Sequence, residues 1–198
     1  MIILTKDSCK VSRWSGGTTT QIAIMPPDAA YGDRDFLWRV SSAVVEDEES
    51  VFTPLPEYDR WLLLLEGTLD LVHDGGPTVR LEPYQAHPFD GGSRTIAQGR
   101  CTDFNLMLRK GKSVGALRPL LFSGVGEREV RFEGPLQDGL HSRSMLVFCG
   151  RGGGILTCAE GRAAISKGEG VLLEDAQSLI LKLSVSGPAA FVVAEMQN

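Results

Sequence analysis

Apolar and polar positions alternate in short runs along much of the chain. Thr18 to Ile24 sets Thr18, Thr20, Ile22 and Ile24 against Thr19, Gln21 and Ala23. Phe36 to Val44 sets Phe36, Trp38, Val40, Ser42 and Val44 against Leu37, Arg39, Ser41 and Ala43. Asp103 to Arg109 sets Phe104, Leu106 and Leu108 against Asp103, Asn105 and Met107. A period of two, rich in β-branched and aromatic residues, predicts strands. No long window sustains a helical period. Only Val114 to Phe122 is expected as a short helix or turn, limited by Pro119.

The punctuation between runs fits hairpins. His73-Asp74-Gly75-Gly76-Pro77 separates Leu69–Val72 from Val79–Leu81, and Ala159-Glu160-Gly161-Arg162 separates Ile155–Thr157 from Ala163–Ile165. Gly at such corners supplies positive φ. Many short strands at even spacing predict a sandwich or barrel. A faint repeat goes further. Leu62 to Gly91 and Leu146 to Asp175 share one order: apolar run, Gly, strand, Gly turn, strand, terminal apolar residues. The offset is roughly 85 residues. The expectation is an all-β chain of two jelly rolls, residues 1–112 and 113–198, with the boundary near Gly111 to Gly126 and exchange of terminal strands allowed.

Composition narrows the function classes. The chain has 198 residues and a formal charge of −5, so it lacks the clustered positive charge that nucleic acid requires. An apolar content of 42% excludes general disorder. The first residues become charged too quickly for a signal peptide. The apolar run Trp61 to Leu65 is far too short to span a membrane. A cytoplasmic protein with reduced Cys9, Cys101, Cys149 and Cys158 is expected. None of these forms a C-x-x-C pair, so a zinc ribbon is not supported.

Metal and nucleophile chemistry find little footing. His73, His87 and His141 lie apart in sequence, and Pro56 to Trp61, where a metal-binding jelly roll would carry His, has none. No metal and no cofactor is expected. There is no G-x-S-x-G elbow. Glu46 to Glu49 reads as a solvated loop. What remains is polar residues on apolar strand faces. Arg39 shares a face with Ser41, Arg60 with Leu62 and Leu64, Asp103 with Asn105, and Thr19 with Gln21. A buried Arg needs a partner. Asp103, Glu57, Asp59 or an anionic ligand gripped by the guanidinium fork all qualify. Trp14-Ser15-Gly16-Gly17 reads as a tight turn that brings backbone close to a ligand, with Trp14 as an apolar wall.

Five segments together resemble the HutD/Ves family of cupin-like proteins. They are Trp14 to Thr18 with Gln21-Ile22-Ala23, Trp38 to Ser41 with Ala43, Tyr58-Asp59-Arg60 ahead of Leu64 to Gly67, Pro88 to Gly91, and Asp103 to Met107. The resemblance implies an RmlC-like bicupin encoded with histidine-utilisation genes. It further implies a regulator or sensor of a small formyl or carboxylate metabolite, such as formate or N-formylglutamate. It places Trp14, Gly17, Arg39, Arg60, Phe89, Asp103 and Asn105 at the pocket, to which the strand faces add Thr19, Gln21 and Ser41. Three readings stand: a metal-free receptor for a small anion, a metal-free isomerase or lyase using Asp103, Glu57 or a His as base, and a protein-interaction scaffold. A homodimer is compatible with each.

Overall fold

The computed structural model describes residues 1–133, 135–174 and 180–198. Asp175, the expected end of the second repeat, lies outside the described residues. The chain forms two compact units, Cys9–Val114 and Met1–Ser8 with Gly115–Asn198. Strand β1 (Ile2–Leu4) belongs to the second of these, where it pairs with the strand Gly170–Glu174.

The unit Cys9–Val114, here barrel 1, contains β2 (Lys10–Trp14), β3 (Gly17–Met25), β4 (Trp38–Val45), β5 (Glu49–Val51), β6 (Tyr58–Gly67), β7 (Leu69–His73), β8 (Thr78–Leu81), β9 (Ala86–Asp90), β10 (Thr95–Gln98) and β11 (Cys101–Arg109). One sheet runs β2-β3-β4-β11-β6-β9 and the other β5-β10-β7-β8. The second unit, barrel 2, adds to β1 the strands β12 (Val114–Phe122), β13 (Gly126–Arg131), β14 (Arg143–Arg151), β15 (Gly153–Cys158), β16 (Gly161–Ser166), β17 (Gly170–Glu174), β18 (Ile180–Val185) and β19 (Ala189–Gln197). Its sheets run β1-β17-β14-β19-β12 and β13-β18-β15-β16.

The two orders are the same pattern written twice. β4-β11-β6-β9 corresponds to β12-β19-β14-β17, and β5-β10-β7-β8 to β13-β18-β15-β16. The repeat seen in the sequence is therefore β6 to β9 recurring as β14 to β17. Each unit is built of two antiparallel sheets, and the strand order of one unit recurs in the other.

Local chemistry explains the corners. The β7–β8 turn carries Asp74 at φ 52° and Gly75 at φ 73°, the successive left-handed residues that a tight hairpin needs. Gly17 has φ 152°, and a Cβ there would sit 1.9 Å from the Val44 carbonyl oxygen, so only Gly lets β3 close on β4. Val114 to Phe122 is a strand, which corrects the expected helix or turn. The strand lies at the edge of its sheet, where the missing N–H of Pro119 costs no ladder bond.

The interiors differ. Barrel 2 holds a large apolar cluster, which includes Met145, Val147, Leu156, Leu183, Phe191 and Val193. Barrel 1 has an apolar floor of Leu62, Leu64, Leu69, Leu71 and Leu81. A smaller cluster holds Phe36, Tyr58 and Met107. Between these clusters, buried polar side chains interrupt the core.

Candidate functional site

Three rows of strand neighbours build the site. In the first, Thr19 pairs with Ala43 and Ala43 with Asp103. In the second, Gln21 pairs with Ser41 and Ser41 with Asn105. In the third, Arg39 pairs with Met107, Met107 with Arg60, and Arg60 with Phe89. Alternate residues of a strand share a face, so the three rows point to one side of the sheet. The two arginines sit on either side of Met107, about 10 Å apart by strand spacing.

That side encloses a cavity of about 330 Å³. The polar residues Thr19, Arg39, Ser41, Arg60, Asp103 and Asn105 line it, with Trp14 at its edge. Ser12, Tyr31, Ala43, Val45, Met107 and the stretch Ser50 to Thr53 complete the wall. Of the other expected residues, Gln21 bonds Arg39, and Phe89 lies against Arg60. Gly17 does not line the cavity; its work is in the β3–β4 contact.

The two arginines are held differently. Arg39 donates from Nε to Gln21 Oε1 at 2.9 Å and from Nη1 to Ser41 Oγ at 3.0 Å. Its guanidinium lies 4.3 Å from the centre of the Tyr31 ring. The Arg34 guanidinium also lies over the Tyr31 ring, at 3.7 Å. Tyr31 also meets Phe36, which stacks on Tyr58 at 4.4 Å. The Arg60 guanidinium lies over two rings, Phe52 at 4.8 Å and Phe89 at 5.1 Å. Arg60 is 6% exposed, and its buried Nε has no hydrogen-bond partner. The buried Oδ1 of Asn105 has none either. Among the described residues, no carboxylate forms an ion pair with Arg39 or Arg60. Asp59 pairs with Lys110 instead.

Electrostatics follow from this burial. Desolvation lowers the pKa of Arg39 and takes that of Arg60 down to about 10, which still leaves both charged at neutral pH. Asp103, 5% exposed, is pushed up to about 7 by burial, against the opposing pull of the Ala43 N–H, Arg60 and Arg39. Its Oδ1 accepts the Ala43 N–H at 3.2 Å. The cavity therefore gains a proton near neutrality and keeps two guanidinium charges.

Beneath Phe89, two histidines meet, a contact that their separation in sequence conceals. His73, the last residue of β7 and not a turn residue, has its Nε2 at 3.0 Å from Nε2 of His87. His73 Nδ1 lies 2.8 Å from Thr95 Oγ1, and that hydroxyl donates to the Ser93 carbonyl at 3.3 Å. With the Thr95 proton so used, His73 Nδ1 is the donor, and His73 Nε2 accepts from His87. Burial lowers both imidazole pKa values, and each ring's proximity to the other lowers that of His87 further. Among the described residues, no histidine lines the cavity. Among the described residues, no three His, Cys, Asp or Glu side chains gather where a metal ion would sit. A wall of two arginines repels cations and suits an anion.

Known proteins match this architecture. The HutD family model matches residues 6–191. The chain belongs to the HutD family. A conserved protein of unknown function, PA5104 from Pseudomonas aeruginosa PAO1, has a similar structure. Its TM-score is 0.82 at 24% identity, over 98% of this chain and 97% of that one. HutD from Pseudomonas fluorescens SBW25, solved in a formate condition, matches with a TM-score of 0.74 at 21% identity, over 100% and 98% of the two chains. A bacterial pirin from Escherichia coli, YhhW in complex with nickel(II), shares the fold at 8% identity, with a TM-score of 0.68 over 98% and 97%. An uncharacterised 21.2 kDa protein in the hutC 3′ region of Pseudomonas putida is 34% identical over 96 residues. That match spans 46% of this chain and about half, 48%, of that protein. No helix among the described residues is long and apolar enough to cross a membrane.

Proposed function

We propose that barrel 1 of this HutD-family protein is a receptor site for a small carboxylate, formate or N-formylglutamate in class, and that the protein reports this metabolite in the cytoplasm as a regulator of histidine utilisation. The observation that carries the reading is Arg60. Burying an unpaired guanidinium costs several kcal/mol. A carboxylate bound in the cavity offsets that cost and gives the fork its partner. Arg39, already fixed through Gln21 and Ser41, supplies the second contact without further ordering. Asn105 and Thr19 orient the remaining polar atoms of the ligand. The formate condition of the P. fluorescens HutD structure and the hutC 3′ region of the P. putida protein support the same ligand class and pathway. The site closes within one chain, so a homodimer is compatible but not required.

Thermal unfolding of the EDTA-treated protein against formate, N-formylglutamate, urocanate, histidine and glutamate, with chloride as control, tests this. A ligand at about 100 times its Kd adds roughly 2.7 kcal/mol. A selective rise in Tm that is absent in Arg60→Met supports the reading. Identical Tm values across the panel oppose it.

A second reading has one observation in its favour. Asp103, a cavity carboxyl with a pKa near 7, meets the requirement for a general acid or base. Incorporation of solvent deuterium into a bound carboxylate, lost in Asp103→Asn, distinguishes an isomerase or lyase from a receptor. The scaffold reading draws least support, because barrel 1 encloses a charged cavity where a scaffold needs only a packed core.

A further inference from the structure

Barrel 2 carries a related arrangement of arginines around its central strand, with Glu195 in the place of Asn105. On its central strand, Glu195 faces Met145 as Asn105 faces Leu62 in barrel 1. Two residues further along that strand, Gln197 faces Arg143 as Met107 faces Arg60. Arg143 lies 5.4 Å from the Phe132 ring, just after β13, as Arg60 lies against Phe52 just after β5. On the other side of each central strand stands a further arginine, Arg118 on β12 and Arg39 on β4. In barrel 1 Asn105 lies one row from the Arg39–Met107–Arg60 row, and in barrel 2 Glu195 lies one row from the Gln197–Arg143 pair.

The exchanged residue decides how the charge is met. Arg118 donates to Glu195 Oε1 from Nε at 3.2 Å and from Nη2 at 3.0 Å. The backbone N–H of Glu133 donates to Glu195 Oε2 at 3.2 Å. Glu195 is buried, and both of its oxygens are satisfied. In barrel 1 the corresponding side chain is an amide whose buried Oδ1 finds no donor; the buried Nε of Arg60 has no partner, and neither has that of Arg143 in barrel 2, so the difference between the barrels lies at Asn105 and Glu195 and at the arginine on the other flanking strand. Asn is also one methylene shorter than Glu. Barrel 1 thus lacks a carboxylate where barrel 2 carries one on its own chain, and its cavity opens at that level.

We infer that Glu195 is a built-in anion. Its carboxylate fills in barrel 2 the place that a free small monocarboxylate takes in barrel 1, and the side chain at this position, Asn105 or Glu195, decides whether a barrel holds a ligand site. The inference rests on the anion reading of barrel 1 for its first half, while its second half concerns barrel 2 alone. Binding in barrel 1 is by one carboxylate group between the arginines, and barrel 2 is a closed site of the same class.

Two substitutions test this by calorimetric titration of the whole protein with sodium formate and sodium acetate, against sodium chloride. Glu195→Ala excises a fragment with the shape of acetate. It is expected to bind one equivalent of acetate more than wild type does, with a Tm that acetate raises and chloride does not. Asn105→Glu supplies barrel 1 with its own carboxylate. It is expected to weaken formate binding by about 100-fold or more, with a Tm at or above that of ligand-free wild type. If Glu195→Ala folds and gains no site, the inference is overturned, while binding to wild type leaves the barrel 1 reading intact. If wild type binds neither anion but Glu195→Ala gains a site, the barrel 1 reading falls and the role of Glu195 stands. If Glu195→Ala folds under no condition, Asn105→Glu decides. A lowered Tm or wild-type formate binding in that variant overturns the inference.

Discussion

Arg60 and Asp103 line one cavity from neighbouring strands, yet among the described residues they form no ion pair. Asp103 turns its Oδ1 to the Ala43 N–H, and Arg60 lies between Phe52 and Phe89. A barrel that needed this pair only for stability would gain by closing it, or by replacing both groups with apolar ones. Left apart, the two groups bracket space that an anion can occupy.

Arg60→Met follows directly. The substitution removes the unpaired charge and keeps most of the volume. Tm without ligand is expected to hold or rise by a few degrees, because a buried charge without a partner is lost. Carboxylate affinity is expected to fall by about 2–5 kcal/mol, as for truncation of one side of a buried charged pair. Thermal unfolding with and without ligand reads both effects.

Asp103 gives the site its pH dependence. Its folded pKa of about 7 lies above the ordinary 3.8, so the folded state holds a proton that the unfolded state releases. This group therefore costs no stability below pH 3.8 and costs progressively more as pH rises towards 7. Above 7 it also opposes an anion in the cavity. Carboxylate affinity is expected to fall by up to about tenfold per pH unit in that range. Asp103→Asn flattens both profiles, measurable by calorimetry at a series of pH values.

Gln21 acts through Arg39. Gln21→Ala removes the acceptor for Nε and leaves that buried donor unpaired, at a cost of about 1–3 kcal/mol. Affinity for a carboxylate falls with it, because Arg39 is no longer fixed in direction. The effect on Tm separates this variant from Arg60→Met, which spares the fold.

The pair His73 and His87 carries the opposite sign to Asp103. Both rings have folded pKa values below 6.5, so the unfolded state binds protons that the folded state refuses. Their contribution is present above pH 6.5 and is lost as pH falls below it. His87→Gln is expected to reduce the acid-side loss of stability, leaving the Asp103 profile in place. Denaturant titrations between pH 5 and pH 8, about the range of histidine charging, resolve the two.

Strand faces were the legible part of this chain. Alternation alone groups Arg39 with Ser41 and Ala43, and Asp103 with Asn105 and Met107. Register then carries these groups into one cavity. The glycine turn already points to Trp14, and the resemblance adds Phe89. Tyr31 and Phe52 stay hidden, because they lie in a single 3-10 turn (Tyr31–Asp33) and just beyond a three-residue strand, where no period constrains direction. The contact of His73 with His87 depends on the β6–β9 pairing, which brings His87 beside Leu62, and local sequence carries no trace of it. Val114 to Phe122 misleads for another reason. Pro119 reads as a breaker, yet an edge strand accepts it.

The most direct test of the central claim is titration of wild type and Arg60→Met with ¹³C-formate, followed by formate line width and chemical shift at pH 6. Saturable binding at one equivalent in wild type, abolished in a folded Arg60→Met, is the predicted result. Equal behaviour of the two proteins, whether both bind or neither does, contradicts the assignment of Arg60 as the anchor of a carboxylate site.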